Sequence, residues 1–188
     1  MSAKLARRPP VTGEADDANV YIAGDSGKIY CSFENSATGT WNSDTPGSGS
    51  ATIDFYDDRK GHAVDGNQRI FETTDGDTYE AIGIEDADVS FYGLDSDART
   101  DVWVSGGGGT VFELTPAGWV PDSGLDDTQL QDIVVDGASG LTVGGGDIYV
   151  FDGEKWSPSA TPAGENLNAV VTGSTDIAVG AAGTVLER

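Results

Sequence analysis

The stretch Val104–Glu113, V-S-G-G-G-G-T-V-F-E, carries four consecutive glycines, and how it is read decides the fold. A glycine-rich phosphate loop must open a helix, so that backbone amides and the helix dipole face the anion. Here the glycines run into T-V-F-E, a β-branched and aromatic segment that reads as a strand. The G-K pair at 27–28 fails the same test. Ile29 stands where a phosphate loop needs Ser or Thr, and Ile22 stands where it needs its first glycine. Glycine reaches positive φ without a Cβ clash. Residues 106–109 are therefore expected to form a tight turn between two strands.

The pattern around that turn recurs. A β-branched residue follows each turn at Ile29, Ile70, Val111, Ile148 and Val185, at intervals of 41, 41, 37 and 37 residues. Each is followed by a large apolar residue: Tyr30, Phe71, Phe112, Tyr149 and Leu186. Eight to twelve residues later comes an aromatic, at Trp41, Tyr79, Trp119 and Trp156. Strand-like runs precede four of the anchors: T-I-D-F-Y (52–56), D-V-S-F-Y (88–92), D-I-V-V-D (132–136) and N-A-V-V-T (168–172). Only L-D-D-T-Q-L-Q (125–131) resembles a turn of helix. Four short strands every 37–41 residues are the mark of a propeller blade. The expected fold is all-β: a small β-propeller of about five blade-like units over residues 20–188, preceded by an extended arm over residues 1–19. Trp41, Tyr79, Trp119 and Trp156 are expected to be structural blade positions. Trp103 departs from the repeat, lying where other units carry Ile22, Ala63, Leu141 or Ile177. It is the aromatic to test first for exposure and is an interaction candidate.

Two segments carry a family likeness: I-A-V-G-A-A-G-T-V-L-E-R (177–188) and R-I-F-E-T-T-D-G-D-T-Y (69–79). They resemble the Asp-box (BNR, sialidase-like) propeller repeats of the photosystem II assembly/stability-factor type, in a degenerate form. The resemblance implies the propeller fold and a role in scaffolding or binding. It does not imply sialidase activity. Such enzymes gather several arginines on a carboxylate, whereas Arg7, Arg8 and Arg188 lie at the ends of this chain.

The repeat is incomplete at both ends. The first unit lacks an innermost strand and the fifth lacks a fourth, and an open strand edge invites pairing. The arm holds Lys4, Arg7 and Arg8, the one basic cluster of an acidic chain. Either the arm pairs with the fifth unit's open edge in its own chain and completes the ring, or the expected partners are proteins or further copies of the chain, through the arm or the open edge. Glycan is the second partner class, offered by the tryptophans.

The formal net charge is −22, with 10 Lys and Arg against 32 Asp and Glu. A disordered acidic chain lacks aromatics, and this one has 4 Trp, 6 Tyr and 6 Phe. A folded domain adapted to high salt is the expected reading, because molar salt screens self-repulsion. No basic footprint for nucleic acid follows the arm, and anionic membranes are disfavoured on the same ground. No run reaches the roughly 18 apolar residues of a membrane span. Arg7-Arg8 leads into Pro9-Pro10 rather than an apolar signal core. A cytoplasmic or virion location without a signal peptide is the expectation.

Chemical candidates are few. G-D-S-G (24–27) imitates a serine-nucleophile motif, but its only histidine is His62; a turn and a surface histidine are expected. Asp95, Asp97 and Asp101 lack the glycine and terminal Glu of a calcium loop. Asp57-Asp58 and Asp126-Asp127 read as solvated turn charge. Cys31 is the single cysteine. No catalytic, metal or cofactor residue is expected. The sequence reads as a non-catalytic structural or protein-interaction module of a halophile or its virus, a subunit of a larger assembly such as a capsid decoration, turret or tail. A glycan-binding propeller is the alternative, and a degenerate sialidase-like hydrolase ranks behind it.

Overall fold

The computed structural model describes residues 18–84, 87–122, 125–162 and 164–188. Lys4, Arg7 and Arg8 lie outside them. Short β-branched runs bounded by Gly, Asp and Ser form strands here, as alternation of inward and outward side chains requires. The first sheet pairs β1 (Val20–Ala23), β2 (Ile29–Ser32) and β3 (Trp41–Asp44). The second is β4 (Ala51–Asp57), β5 (Lys60–Asp65), β6 (Arg69–Thr73) and β7 (Glu80–Ala81). The third is β8 (Phe91–Ala98), β9 (Asp101–Gly106), β10 (Val111–Thr115) and β11 (Gly118–Asp122). The fourth is β12 (Asp132–Asp136), β13 (Ser139–Gly144), β14 (Asp147–Phe151) and β15 (Trp156–Ser159). The fifth is β16 (Leu167–Val171), β17 (Ile177–Gly180) and β18 (Val185–Glu187). Each sheet is an antiparallel meander in chain order, the blade unit of a β-propeller. Among the described residues there is no α-helix. The stretch 125–131 is turn and irregular chain, and the one helical piece among the described residues is a 3-10 turn, Ala181–Gly183.

Two compact units divide the chain, one reaching to Ser90 and including Ser96–Arg99, the other holding Phe91–Asp95 and Thr100–Arg188. In the first, Tyr21, Ile29 and Cys31 pack on Ile53, Phe55 and Phe71. Tyr21 stacks on Phe55, ring centroids 3.8 Å apart. In the second, Trp103 and Val111 pack with Ile133, Tyr149 and Trp156, and Leu141, Val143 and Ile148 pack with Leu167, Val170 and Ala178.

The anchors occupy equivalent register positions. Ile29 faces Ala23, Ile70 faces Val64, Val111 faces Ser105, Ile148 faces Val143 and Val185 faces Val179. The first four are buried, and Val185 is 60 % exposed. The turns before them are also alike. Gly24, Gly106 and Gly180 each donate their amide to the carbonyl four residues on, at 2.9, 2.9 and 3.0 Å. The left-handed position is filled by Gly27, Gly109 and Gly183, and in the second sheet by Gln68 at φ 69. Where the other turns have glycine, the second sheet has Asp65. Its buried carboxylate accepts from the amides of Ser48, Asn67 and Arg69 and pairs with the Arg69 guanidinium at 2.8 Å.

One expected boundary is corrected. The run D-V-S-F-Y (88–92) is not the strand; β8 starts at Phe91 and continues through Asp95-Ser96-Asp97, which composition alone marks as loop. Tertiary partners hold it extended. The Ser96 amide donates to Asp54 Oδ2 at 2.8 Å, and Ser96 Oγ lies 2.7 Å from His62 Nδ1.

That contact belongs to a series. Asp95 Oδ2 accepts the amide of Val135 at 3.1 Å, and Asp132 Oδ2 accepts the amide of Val170 at 3.0 Å. The three acceptors lie on β4, β8 and β12, and the three donors on β8, β12 and β16. Every one of these strands is the edge strand that opens its sheet. A first strand thus lends a carboxylate to an amide on the unpaired edge of the next, an edge otherwise left without partners.

Two substitutions test these features. Asp95→Ala should lower the unfolding free energy by about 1–3 kcal/mol, since it strands a buried amide, while Asp95→Asn, which keeps an acceptor, should cost less. At Gly109, φ is 62° and an added Cβ would run into the carbonyls of Leu125 and Asp126. Gly109→Ala should therefore cost about 2–4 kcal/mol, strain and overpacking combined. Urea unfolding read by tryptophan fluorescence measures both, and unchanged midpoints would contradict these assignments.

Candidate functional site

A recess of the second unit lies between the faces of β9–β11 and β14–β15. Register explains its lining. Trp103 on β9, Glu113 on β10 and Val120 on β11 stand directly opposite one another and so share a face. Two residues along, Asp101, Val111 and Asp122 lie on that same face. Across from it, Phe151 and Trp156 form a cross-strand pair on β14 and β15. Gly140, the next residue in that row, has no side chain, and a Cβ there would lie 3.3 Å from the Trp156 ring. The recess is about 710 Å³.

Its floor is aromatic. Ring centroids of Trp103 and Phe151 are 5.1 Å apart, those of Phe151 and Trp156 5.2 Å, and those of Trp103 and Trp156 6.1 Å. Its rim is acidic, with Asp101, Asp122 and Glu154 exposed and Glu113 half-buried. No lysine or arginine lines it. Burial pushes the Glu113 carboxyl up from its ordinary value, and the charge of Asp101 adds to the shift. The site thus has an excess of negative charge over an apolar floor.

The sequence expectations fare unevenly here. Trp103 is buried, 7 % exposed, not displayed at the surface. The reason is the neighbouring sheet, whose Phe151 and Trp156 close over its ring. The repeated aromatics lie at or beside the start of the outermost strand of their sheets. Trp156 is 6 % exposed, whereas Trp41, Tyr79 and Trp119 are half-buried. Each follows a turn tied by the residue four places earlier. Asp75 Oδ1 accepts the amides of Asp77 and Thr78, and Asp152 Oδ1 accepts those of Glu154 and Lys155 in the same offsets. Thr115 Oγ1 takes the Ala117 amide in the corresponding turn. These amides hold the Asp75 carboxyl down at about 2 and that of Asp152 below its ordinary value. The second of these D-G-x-x-aromatic turns, 152–156, went unnoticed in the sequence. Its signal was present in the shared D-G spacing ahead of Tyr79 and Trp156.

The nucleophile imitation does not assemble. Ser26 is exposed in the turn between β1 and β2, while His62 on β5 is fully buried and bonded to Ser96. His62 was expected at the surface. Its place is the interior, where Nε2 has no hydrogen-bond partner. Asp95 serves the Val135 amide, Asp57 pairs with Lys60 at 2.9 Å, and Asp126 accepts from the Tyr149 hydroxyl at 3.3 Å. Among the described residues no group of three His, Cys, Asp or Glu is placed to hold a metal ion. Cys31 is buried beside Asp77, and burial first, then that carboxylate, pushes its thiol up to about 12. No described helix is long and apolar enough to cross a membrane.

No family model and no curated protein matches the chain. Solved structures do. Virginiamycin B lyase from Staphylococcus aureus superposes with a TM-score of 0.69 at 12 % identity, covering 93 % of this chain and 67 % of its own. YCF48 from Cyanidioschyzon merolae gives 0.66 at 16 %, covering 97 % of this chain and 71 % of its own. YCF48 bound to D1 peptide gives 0.62 at 12 %, and the 91 % of this chain that matches spans 64 % of that protein. At such identity the likeness shows the fold alone. With the blade-like meanders above, that fold is a small β-propeller.

The buried histidine makes a pH prediction. Desolvation lowers the His62 pKa from 6.5 to about 4. The neutral form is favoured by folding, so its contribution is complete above pH 6.5 and is lost as pH falls toward 4. Between pH 7 and pH 4, the wild type should lose about 3 kcal/mol more stability than His62→Gln. Parallel urea titrations at both pH values measure the difference, and equal losses would contradict it.

Proposed function

We propose that this chain is a non-catalytic, structural or protein-interaction propeller, a subunit of a larger assembly in a halophilic organism or its virus. The observation that carries the reading is where the polar groups are used. Asp54, Asp95 and Asp132 cap strand edges, Asp65, Asp75 and Asp152 organise turns, and His62 is buried on Ser96. The groups that chemistry would draw on are serving the backbone. Propellers host enzymes and binding proteins alike, so fold alone does not choose. A propeller structure of this likeness holds a peptide, which supports a binding role. The net charge of −22 supports a high-salt setting, where screening within about 3 Å at 1 M removes self-repulsion.

Glycan binding draws on the same aromatics, and a glycan array in high salt tests it. It ranks second because Trp103 and Trp156 expose less than a tenth of their surface, too little for a stacking platform. A virion decoration, turret or tail protein is the specific assembly this reading favours.

Size-exclusion chromatography with light scattering, in molar KCl, tests the proposal. A mass above the 19.4 kDa of one chain is expected. The melting temperature should rise with KCl. A monomer at every concentration and salt, or a melting temperature indifferent to salt, would overturn the assembly or the high-salt reading respectively.

A further inference from the structure

We propose that the acidic recess between β9–β11 and β14–β15 receives the basic, proline-bearing segment Arg7-Arg8-Pro9-Pro10 of a second copy of this chain. This rests on the reading of the protein as an interaction module and names one of its partners. Charge complementarity carries it. Asp101, Glu113 and Glu154 have no ion-pair partner among the described residues, and the recess holds no basic side chain. A guanidinium pairs with carboxylates through a planar fork of donors and lies favourably against an accessible aromatic face, here that of the half-buried Phe151.

The basic counterpart has to come from elsewhere. Between Thr100 and Arg188 the only basic residues are Lys155 and Arg188. In the first unit the cations are already engaged. Arg69 pairs with Asp65, Arg99 with Glu72 and Lys60 with Asp57, while Lys28 lies over Tyr30 and Arg59 over Phe33. Lys155 and Arg188 stand singly, and the one cluster of basic residues in the chain is Lys4, Arg7 and Arg8.

The segment's other half fits as well. Consecutive prolines hold φ near −65° and favour an extended polyproline backbone that loses little entropy on docking. Aromatic-lined grooves use that economy to bind proline-rich segments. Here Phe151, half-buried, and Val120, 48 % exposed, supply the apolar strip beside the carboxylates. A volume of about 710 Å³ is in the range that accommodates a few side chains. In molar salt the ionic part is screened, and the proline part remains.

The test has two arms. A fluorescent peptide of residues 2–13 is titrated into full chain carrying Arg7→Ala and Arg8→Ala, so that its own arm does not compete. Saturable binding is expected. Glu113→Gln and Asp101→Asn should each weaken it about two- to fivefold, as for partly exposed ion pairs. Replacing both prolines of the peptide by alanine should weaken it comparably. Circular dichroism confirms that the variants are folded.

The second arm mixes full chains followed by light scattering. The Arg7→Ala, Arg8→Ala chain and the Asp101→Asn, Glu113→Gln chain should each lose self-association alone and regain it as a mixed pair, since one intact segment then meets one intact recess. No peptide binding, or binding indifferent to the recess variants, overturns the inference. Association that persists in both variants also overturns it while leaving the interaction reading intact. Peptide binding by a chain that stays monomeric overturns the second copy as the occupant. Absence of both binding and association sinks the two readings together.

Discussion

An antiparallel sheet that meanders outward from its first strand leaves that strand with one unpaired edge. Unsatisfied backbone groups there cost as much as lost hydrogen bonds, and an open edge invites mispairing. In this chain an aspartate from one opening strand reaches the next: Asp54 to Ser96, Asp95 to Val135, Asp132 to Val170. The bond is charge-assisted, and stronger than an ordinary amide–carbonyl bond. It also sets how one opening strand is placed against its successor, because a side-chain carboxylate reaches only a neighbouring backbone. The inter-sheet packing of Trp103 and Val111 with Ile133 and Tyr149, and of Val143 with Leu167, goes with that spacing.

Turn chemistry does the complementary work at the other ends of the strands. Asp75 and Asp152 each gather two amides, after which Tyr79 and Trp156 turn into the core. The acidic composition is therefore not a uniform coat. Part of it is backbone capping, which would be needed in any solvent, and part is exposed charge such as Asp101, Asp122 and Glu154. The second kind makes the chain sensitive to ionic strength. The first makes it sensitive to acid, since carboxylates that accept backbone amides lose that role on protonation.

The repeat was legible because it is written in residue types with one structural use. Ile29, Ile70, Val111, Ile148 and Val185 hold matching register positions in their sheets, and Gly24, Gly106 and Gly180 before three of them hold the same turn. The aspartate series was also written there. Asp54, Asp95 and Asp132 each stand sixteen residues before an anchor, at Ile70, Val111 and Ile148. An acidic residue in an apolar strand at the blade spacing was the signal, hidden by the many solvated aspartates. Two features were not legible. The Asp95-Ser96-Asp97 run has loop composition, and its place in β8 rests on pairing with β9 and on Asp54, His62 and Val135, the last three distant in sequence. Trp103 breaks the repeat, and its burial depends on Phe151 and Trp156 from the following sheet, beside the space left by Gly140.

The devices that hold these sheets are mostly backbone to carboxylate, backbone to backbone, and glycine φ. They constrain few side chains, which leaves the residues between them free to diverge. That is why a fold can be shared where almost no sequence is, and why shared fold carries no function. What individualises this chain is what the repeat does not require: a tryptophan in place of the small or aliphatic residue of other units, glycines opposite it, and carboxylates around the gap. Departures from a local rule without structural need tend to mark functional sites. In the second unit they coincide in one recess, so that recess, rather than the conserved geometry of the blades, is where the specificity of the molecule is to be sought.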